Sequence, residues 1–346
     1  MFFYMSGTPR NDVLQRQENS LCSHRLFSLH GDYQRAVHKW LDDVLEDPSH
    51  PYPRSIMLDS GAFTAWNAGG EVTVDEVFDS YSRFEEKCGD LFDEIWMVNL
   101  DKIPGKRGED PTVQEINDAL RISDINYKKL VDRFGERILP VYHQGEDTGR
   151  LLELASMAKY ICVSPRNDMP ELKRAKWAGE KHKALDKHAP GTMTHGLATT
   201  GNNMLRDVKW TSVDSAAWIL HAGFGKVDIF EGDRYRNYFV SDDPRKAGLM
   251  NQHWGAQISN NPETGAVEVA VPEAVERGGK LIGPGMPTSQ RLRIRERIEK
   301  YGFNTEEIVT NSRARSIVCM GELADYCRWA TEYQKRKTRQ DGLGLD

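Results

Sequence analysis

No apolar run in the chain comes near the roughly 20 residues that a membrane-spanning helix needs. The opening Met1-Phe-Phe-Tyr-Met5 is apolar, but it is too short for a signal segment and no basic residues precede it. A soluble, cytoplasmic protein with no membrane partner is expected. Cysteine is scarce: Cys22, Cys88, Cys162, Cys319 and Cys327 are an odd number, widely spaced and never in a C-x-x-C pair. That excludes a disulfide framework and points to reduced thiols. A zinc site would need distant histidines to join Cys319 and Cys327, so no metal is expected. A G-x-G-x-x-G turn is missing after the first strand, which removes the usual dinucleotide-binding fingerprint. No internal repeat is present. Nor is there a basic excess: 46 Lys and Arg against 52 Asp and Glu leave a net charge of -6. Contact with a polyanion would have to come from local clusters.

What the chain does have is a recurring pattern of short apolar strands that stop at a Gly-, Asp- or Gln-bearing turn. They are Ile56-Met-Leu-Asp-Ser-Gly-Ala-Phe63, Ile95 to Gly105, Ile138 to Glu146, Tyr160 to Asp168, Met193 to Gly201 and Thr211 to Trp218. Met1 to Met5 reads as the first strand, with Ser6-Gly7-Thr8-Pro9 as its turn. Between most of these segments lies a helical stretch. Residues 31–46 carry apolar residues at helical spacing, and Pro48, Pro51 and Pro53 follow. Thr73 with Glu76 forms a capping-box pattern, and helices are expected over 112–134, from Asp147 or Thr148, over 170–188 and over 202–208. Apolar strands alternating with helices describe a parallel sheet covered on both faces. The expected fold is α/β: an irregular (β/α)8 TIM-type barrel over residues 1–245 as the catalytic domain, with a C-terminal extension over 246–346. Within that extension, 251–285 is rich in Gly, Asn and Pro around a short Val267–Val271 strand. Helices are expected over 290–301, 305–316 and 322–337.

A parallel barrel gathers its strand ends around one mouth, so Asp59, Asp101, Gln144, Asp168, His195 and Asp214 become neighbours. Two strand-end carboxylates, Asp59 in an Asp-Ser-Gly turn and Asp214 before Ser215, suit glycosyl chemistry. One attacks C1′ of a sugar while the other moves a proton. Asp-Ser-Gly is also common turn chemistry, with the side chain bonding nearby backbone N–H groups. Gln144-Gly145 and Gly196-Leu197-Ala198 bring an amide and unshielded backbone close to a flat ligand. Asp101 adds a carboxylate for an N–H edge, and the set suits a purine with a guanine-type edge. Gln144 equally suits an amide tying two loops together, and His195 a satisfied core histidine. Trp66, Tyr142 and Trp218 are aromatic residues that would stack on a base or serve as core.

The order Asp-Ser-Gly-Ala-Phe, Leu-Asp with Ile-Pro, Gln-Gly, Gly-Leu-Ala and Val-Asp-Ser, over residues 56–220, resembles the tRNA-guanine transglycosylase superfamily. Its members carry D-S-G-G-F, an A-L-D segment, Q-G-G, G-L-A-V-G and a late aspartate. The resemblance implies a barrel that exchanges guanine for a 7-deazaguanine base. No cofactor is expected, since exchanging one base for another is close to isoenergetic and needs none. The resemblance makes Asp59 the general acid/base and Asp214 the nucleophile. Ser60, Gly61, Phe63, Asp101, Gln144, Gly145, His195, Gly196 and Leu197 would bind the base. This sequence departs from the family at Ala62, in the Ser-Ala-Ala-Trp after Asp214, and in lacking the C-x-C-x-x-C zinc module of the tRNA enzymes. The last two of these departures fall where the tRNA enzymes hold RNA. They point to the branch that places 7-deazaguanines into DNA in bacterial and phage modification systems, with tRNA as the alternative polymer. A phage-encoded member would work in its host's cytoplasm. A non-catalytic barrel that positions a partner enzyme on nucleic acid is the alternative from another class. Candidate phosphate contacts are Arg166, Lys173, Arg174 and Lys176, and, in the basic C-terminal part, Arg291, Arg293, Arg313 and Arg315. Oligomeric state is left open.

Overall fold

The computed structural model of the chain describes residues 1–7, 9, 14–47, 49, 51–106, 109–241, 257–260, 267–270 and 288–342. Its main sheet is all parallel and has nine segments. These are β1 (Phe2–Ser6), β2 (His24–Ser28), β3 (Ser55–Asp59), β4 (Glu94–Val98), β5 (Ile138–Leu139), β6 (Val141–His143), β7 (Tyr160–Ser164), β8 (Met193–Gly196) and β9 (Ser212–Ser215). The order is β5-β4-β3-β2-β1-β9-β8-β7-β6. Its two ends are neighbours in the chain, because β5 and β6 are halves of one strand parted by Pro140. Proline has no N–H to give the ladder. One half pairs with β4 (Met97 opposite Ile138) and the other with β7 (Val141 opposite Cys162). The Cys162 N–H bonds to the Pro140 carbonyl at 2.8 Å. The sheet therefore comes round on itself as a TIM-type barrel.

Side-chain alternation divides the strands between two cores. In β3, Ile56 and Leu58 face an outer core with Trp40, Leu41, Tyr81 and Phe84, while Met57 joins an inner core with Tyr4, Leu26, Val98, Leu139 and Cys162. Each fully buried large apolar side chain stabilises the fold by about 1.5–3 kcal/mol. The outer core lies under α2 (Asp32–Glu46), α4 (Val74–Cys88) and α5 (Val113–Phe134). The capping box expected for α4 is present, closed reciprocally by Thr73 and Glu76, and Gly89 follows at the C-terminus. Thr112 and Glu115 do the same for α5, and the Asp147 side chain caps α6 (Thr148–Met157). Pro170 stands at the N-cap of α7 (Glu171–His188), one position ahead of the first turn.

Periodicity does not reveal α1 (Leu14–Leu21) or β2. The reason is polar content: β2 begins His24-Arg25, and Arg25 is buried with an ion pair to Glu18 at 3.8 Å and a bond to the Gly7 carbonyl at 3.2 Å. A strand built around a paired arginine has no apolar signature.

By its contacts the chain divides into Met1–Ala216 with Ala330–Asp346, and Ala217–Trp329. The second unit has a hairpin, β10 (Lys226–Glu231) against β11 (Arg234–Phe239), turning at Gly232 with φ +74°. It also has a ladder of β12 (Gln257–Asn260) with β13 (Val267–Ala270). The rest of the Gly-, Asn- and Pro-rich stretch lies outside the described residues. The helix expected over 305–316 is two helices, Thr305–Thr310 and Ser312–Gly342, divided at Asn311.

Candidate active site

The parity that separates the two cores also selects which residues crown the barrel. Met57 points inward, so Asp59 two residues on does too. The same count from Tyr4, Leu26 and Cys162 gives Ser6, Ser28 and Ser164, and from Val141 it gives His143. Mostly apolar layers, with the buried His195 and Ser212 among them, fill the interior, and polar ones close its C-terminal end, the end at which barrel enzymes work.

Asp59 is half-buried at the end of β3 and accepts the Gly61 N–H at 3.2 Å. Burial, then the charges of Asp214 and Asp101, push its carboxyl up to about 6, against smaller opposing effects of the Gly61 N–H and the Ser28 hydroxyl. Asp59, Asp101 and Asp214 thus lie within each other's field, as convergence of the strand ends requires. Asp214, on β9, is buried and has three donors. The Ala198 N–H reaches Oδ1 at 2.8 Å, His195 Nε2 reaches Oδ1 at 3.2 Å, and the Ser6 hydroxyl donates to Oδ2. Ala198 makes its bond from φ +50°, the left-handed region that a residue with a Cβ enters at a cost of about 1–3 kcal/mol. That strain is where backbone geometry yields to the carboxylate.

Glycine at position 61 is dictated twice. Its φ is +80°, and a Cβ there would lie 2.3 Å from the Cβ of His30. Gly69 at the other end of α3 (Ala62–Ala68) has φ +70° with open space around it. Gly61→Ala is therefore expected to lower stability by about 3 kcal/mol, and Gly69→Ala by about 1 kcal/mol, read from urea midpoints. Equal effects would show that the His30 contact yields freely.

The base-reading candidates divide by geometry. Asp101 has one oxygen already committed, since His143 Nε2 approaches its Oδ2 at 2.6 Å. Burial alone would push the His143 imidazole down, but the hydrogen bond and charge of Asp101, with Glu146, hold it above its ordinary value. Gln144 ties two loops: its carbonyl accepts the Arg166 N–H at 3.0 Å and its amide N–H₂ faces Met169 Sδ at 3.2 Å. Gly145 is exposed with φ +125°, and Phe63 is exposed on α3, tilted against Trp66. Ser60 is buried and its hydroxyl accepts the Ala62 N–H at 3.4 Å. Gly196 is packed against Thr199 and Trp210, where a Cβ would meet atoms at 3.1 and 3.2 Å. Leu197 spends its N–H on the Val163 carbonyl. His195 is fully buried behind Asp214, out of reach of a ligand. Tyr142 and Trp218 are also fully buried, and Tyr142 stacks on Trp177. Asp168 pairs with Arg166 at 2.7 Å, and Arg166 also pairs with Asp110.

Of the candidate phosphate contacts, Lys173 and Lys176 are exposed on α7, Arg293 is exposed, and Arg174 is half-buried with a bond to Asn167. Arg313 and Arg315 are corrected by the structure: both are buried. Arg315 donates to the carbonyls of Ala222, Ile308 and Val309 at 2.8–2.9 Å, so it closes a helix end instead of facing solvent. The side chain of Arg291 lies outside the described residues.

Ser6, His143 and Glu146 are the site groups that motif reading does not single out. Counting parity from β1 and β6 would have found Ser6 and His143. Glu146 is buried, and burial pushes its carboxyl up to about 7 against the pull of His143 and Arg150. Among the described residues no cluster of three or more His, Cys, Asp or Glu is arranged to hold a metal ion. No helix of the described residues is long and apolar enough to cross a membrane. Comparison with models of known families and with curated proteins finds no match.

Proposed function

We propose that the chain is a nucleic-acid guanine transglycosylase that replaces guanine by a 7-deazaguanine base in DNA through a covalent glycosyl-aspartate. One observation carries the reading: two strand-end carboxylates share one mouth and are held in opposite ways. Asp214 has three donors and a fixed orientation, which suits a nucleophile. Asp59 has a carboxyl pushed up to about 6, which suits a group that gives a proton to a leaving purine and takes one from the incoming base. In the first half-reaction Asp214 forms a bond to C1′, the C1′–N bond breaks toward guanine, and Asp59 supplies the proton. In the second, the deazaguanine attacks C1′, the ester oxygen leaves, and Asp59 recovers the proton. Asp101 faces the N–H edge of the base with its remaining oxygen, and Phe63 offers an exposed ring. A target in a duplex would have to be flipped out of the stack.

The test is transfer of a labelled 7-deazaguanine into duplex DNA and into tRNA. Label in DNA supports the reading, and label in tRNA alone keeps the chemistry and changes the polymer. Label in neither rejects it in favour of a non-catalytic barrel. For the polymer surface, Lys173→Glu with Lys176→Glu is expected to weaken DNA binding and to reduce the slope of log K against log salt by about 0.9 for each phosphate no longer neutralised. Arg315→Met is expected to leave that slope unchanged. A slope that ignores the lysines would place the phosphates elsewhere.

A further inference from the structure

Behind Asp214 runs a chain of buried groups whose hydrogens all point one way. His195 presents Nε2 to Asp214 Oδ1 at 3.2 Å and Nδ1 to Ser212 Oγ at 2.5 Å, and Ser212 is bonded in turn to the Tyr160 hydroxyl. His195, Ser212 and Tyr160 are all buried. A carboxylate oxygen only accepts, so Nε2 carries a hydrogen. The Tyr160 hydrogen finds its acceptor in Ser212 Oγ, which leaves Ser212 to give its own hydrogen to Nδ1. The reverse polarity needs a doubly protonated ring and leaves the Tyr160 hydrogen without an acceptor among the described residues. A buried hydroxyl left so costs about 1–3 kcal/mol.

The two oxygens of Asp214 are consequently unequal. Oδ1 takes two donors, His195 Nε2 and the Ala198 N–H, and Oδ2 takes the Ser6 hydroxyl alone. We propose that His195 is a positioning residue which, with the Ala198 N–H, reserves Oδ1 and turns Oδ2 toward the sugar as the reacting oxygen. This rests on the reading of Asp214 as nucleophile. An Oδ2 lone pair forms the bond to C1′ while the C1′–N electron pair leaves with guanine, protonated by Asp59. Oδ1 becomes the ester carbonyl with both donors still in place. When the incoming base displaces the ester, charge returns to the carboxylate, and those donors stabilise it as an oxyanion hole does. His195 thus serves both half-reactions without touching the substrate.

The full chain with isotope-labelled histidine tests the polarity, and two substitutions test the consequence. Long-range nitrogen–proton correlation is expected to show the Nε2-protonated tautomer at His195, and Ser212→Ala is expected to weaken that preference. On a guanine-containing polymer, His195→Gln, which keeps one donor, is expected to slow adduct formation about 10-fold. His195→Leu, which keeps none, is expected to slow it about 10²–10³-fold, with polymer affinity unchanged within about twofold. An Nδ1-protonated tautomer, or a leucine variant that forms adduct at the wild-type rate, overturns the role of His195. A wild-type chain that shows the Nε2 tautomer yet forms no adduct overturns the transglycosylase reading, and the choice of reacting oxygen with it.

Discussion

Asp214→Ala is expected to abolish the covalent adduct and to lower base exchange by about 10⁴-fold or more, because it removes the carboxylate that forms the bond to C1′. The same substitution should also destabilise the fold. Ser6, His195 and the Ala198 N–H all end on this carboxylate. Alanine leaves three donors, two of them (Ser6 and His195) buried, facing a space about the size of a carboxyl group. A water that enters would satisfy part of that set, so the expected loss is about 1–3 kcal/mol. Two measurements on one variant check this: adduct on a denaturing gel with a labelled polymer, and the urea midpoint. Adduct retained in the alanine variant would remove Asp214 from the chemistry. Unchanged stability would show that its donors find other partners. Ala198 gives a structural reason to expect both losses together, since its left-handed backbone is explained by the one bond it makes to Asp214.

How much of this is legible in sequence depends on what carries the information. The strand that ends in Asp59 is readable because Ile56, Met57 and Leu58 are apolar on both faces, and its glycine is readable because Asp-Ser-Gly names a turn. The helix boundaries at Thr73, Thr112 and Asp147 are readable because capping is local chemistry between residues three apart. Arg25 in β2 and Arg315 in the long C-terminal helix are not readable. Their burial depends on partners distant in sequence, Glu18 and Gly7 for one and Ala222 for the other. In isolation each looks like surface charge. The roles of Gln144 and His195 fall between these cases. Motif order places both near the mouth, but only three-dimensional contacts decide that Gln144 ties the Arg166 loop and that His195 stands behind Asp214. Hydrogen-bond partners are non-local, and a motif does not record them.

Asp59→Asn separates what the mouth does from what it costs the fold. Asparagine keeps the shape and an acceptor for the Gly61 N–H but has no proton to give, so exchange is expected to fall about 10²–10⁴-fold. Stability is expected to move the other way, and the sign follows from linkage. Asp59 is raised from 3.8 to about 6 in the fold, so between those values the native chain holds a proton that the unfolded chain has released. Native stability therefore falls as pH rises from about 4 to about 6 and stays lower above that. A shift of that size is worth at most about 3 kcal/mol, less where water reaches the half-buried carboxylate. The asparagine variant has no such penalty, so it should be more stable than wild type by about 1–2 kcal/mol at pH 8 and equal to it near pH 4, read from urea midpoints. Adduct formation, which needs protonated Asp59, should fall as pH rises through about 6. In the adduct Asp214 is an uncharged ester and no longer raises Asp59, so resolution by the incoming base, which needs the carboxylate, should rise with pH at a lower value. A variant equally destabilised at both pH values would mean that Asp59 is a turn residue whose side chain holds Gly61 and nothing more. A stabilised, inactive variant would instead show that the barrel keeps an ionised carboxylate beside two others at a cost in stability, and the reaction gives it a reason to do so.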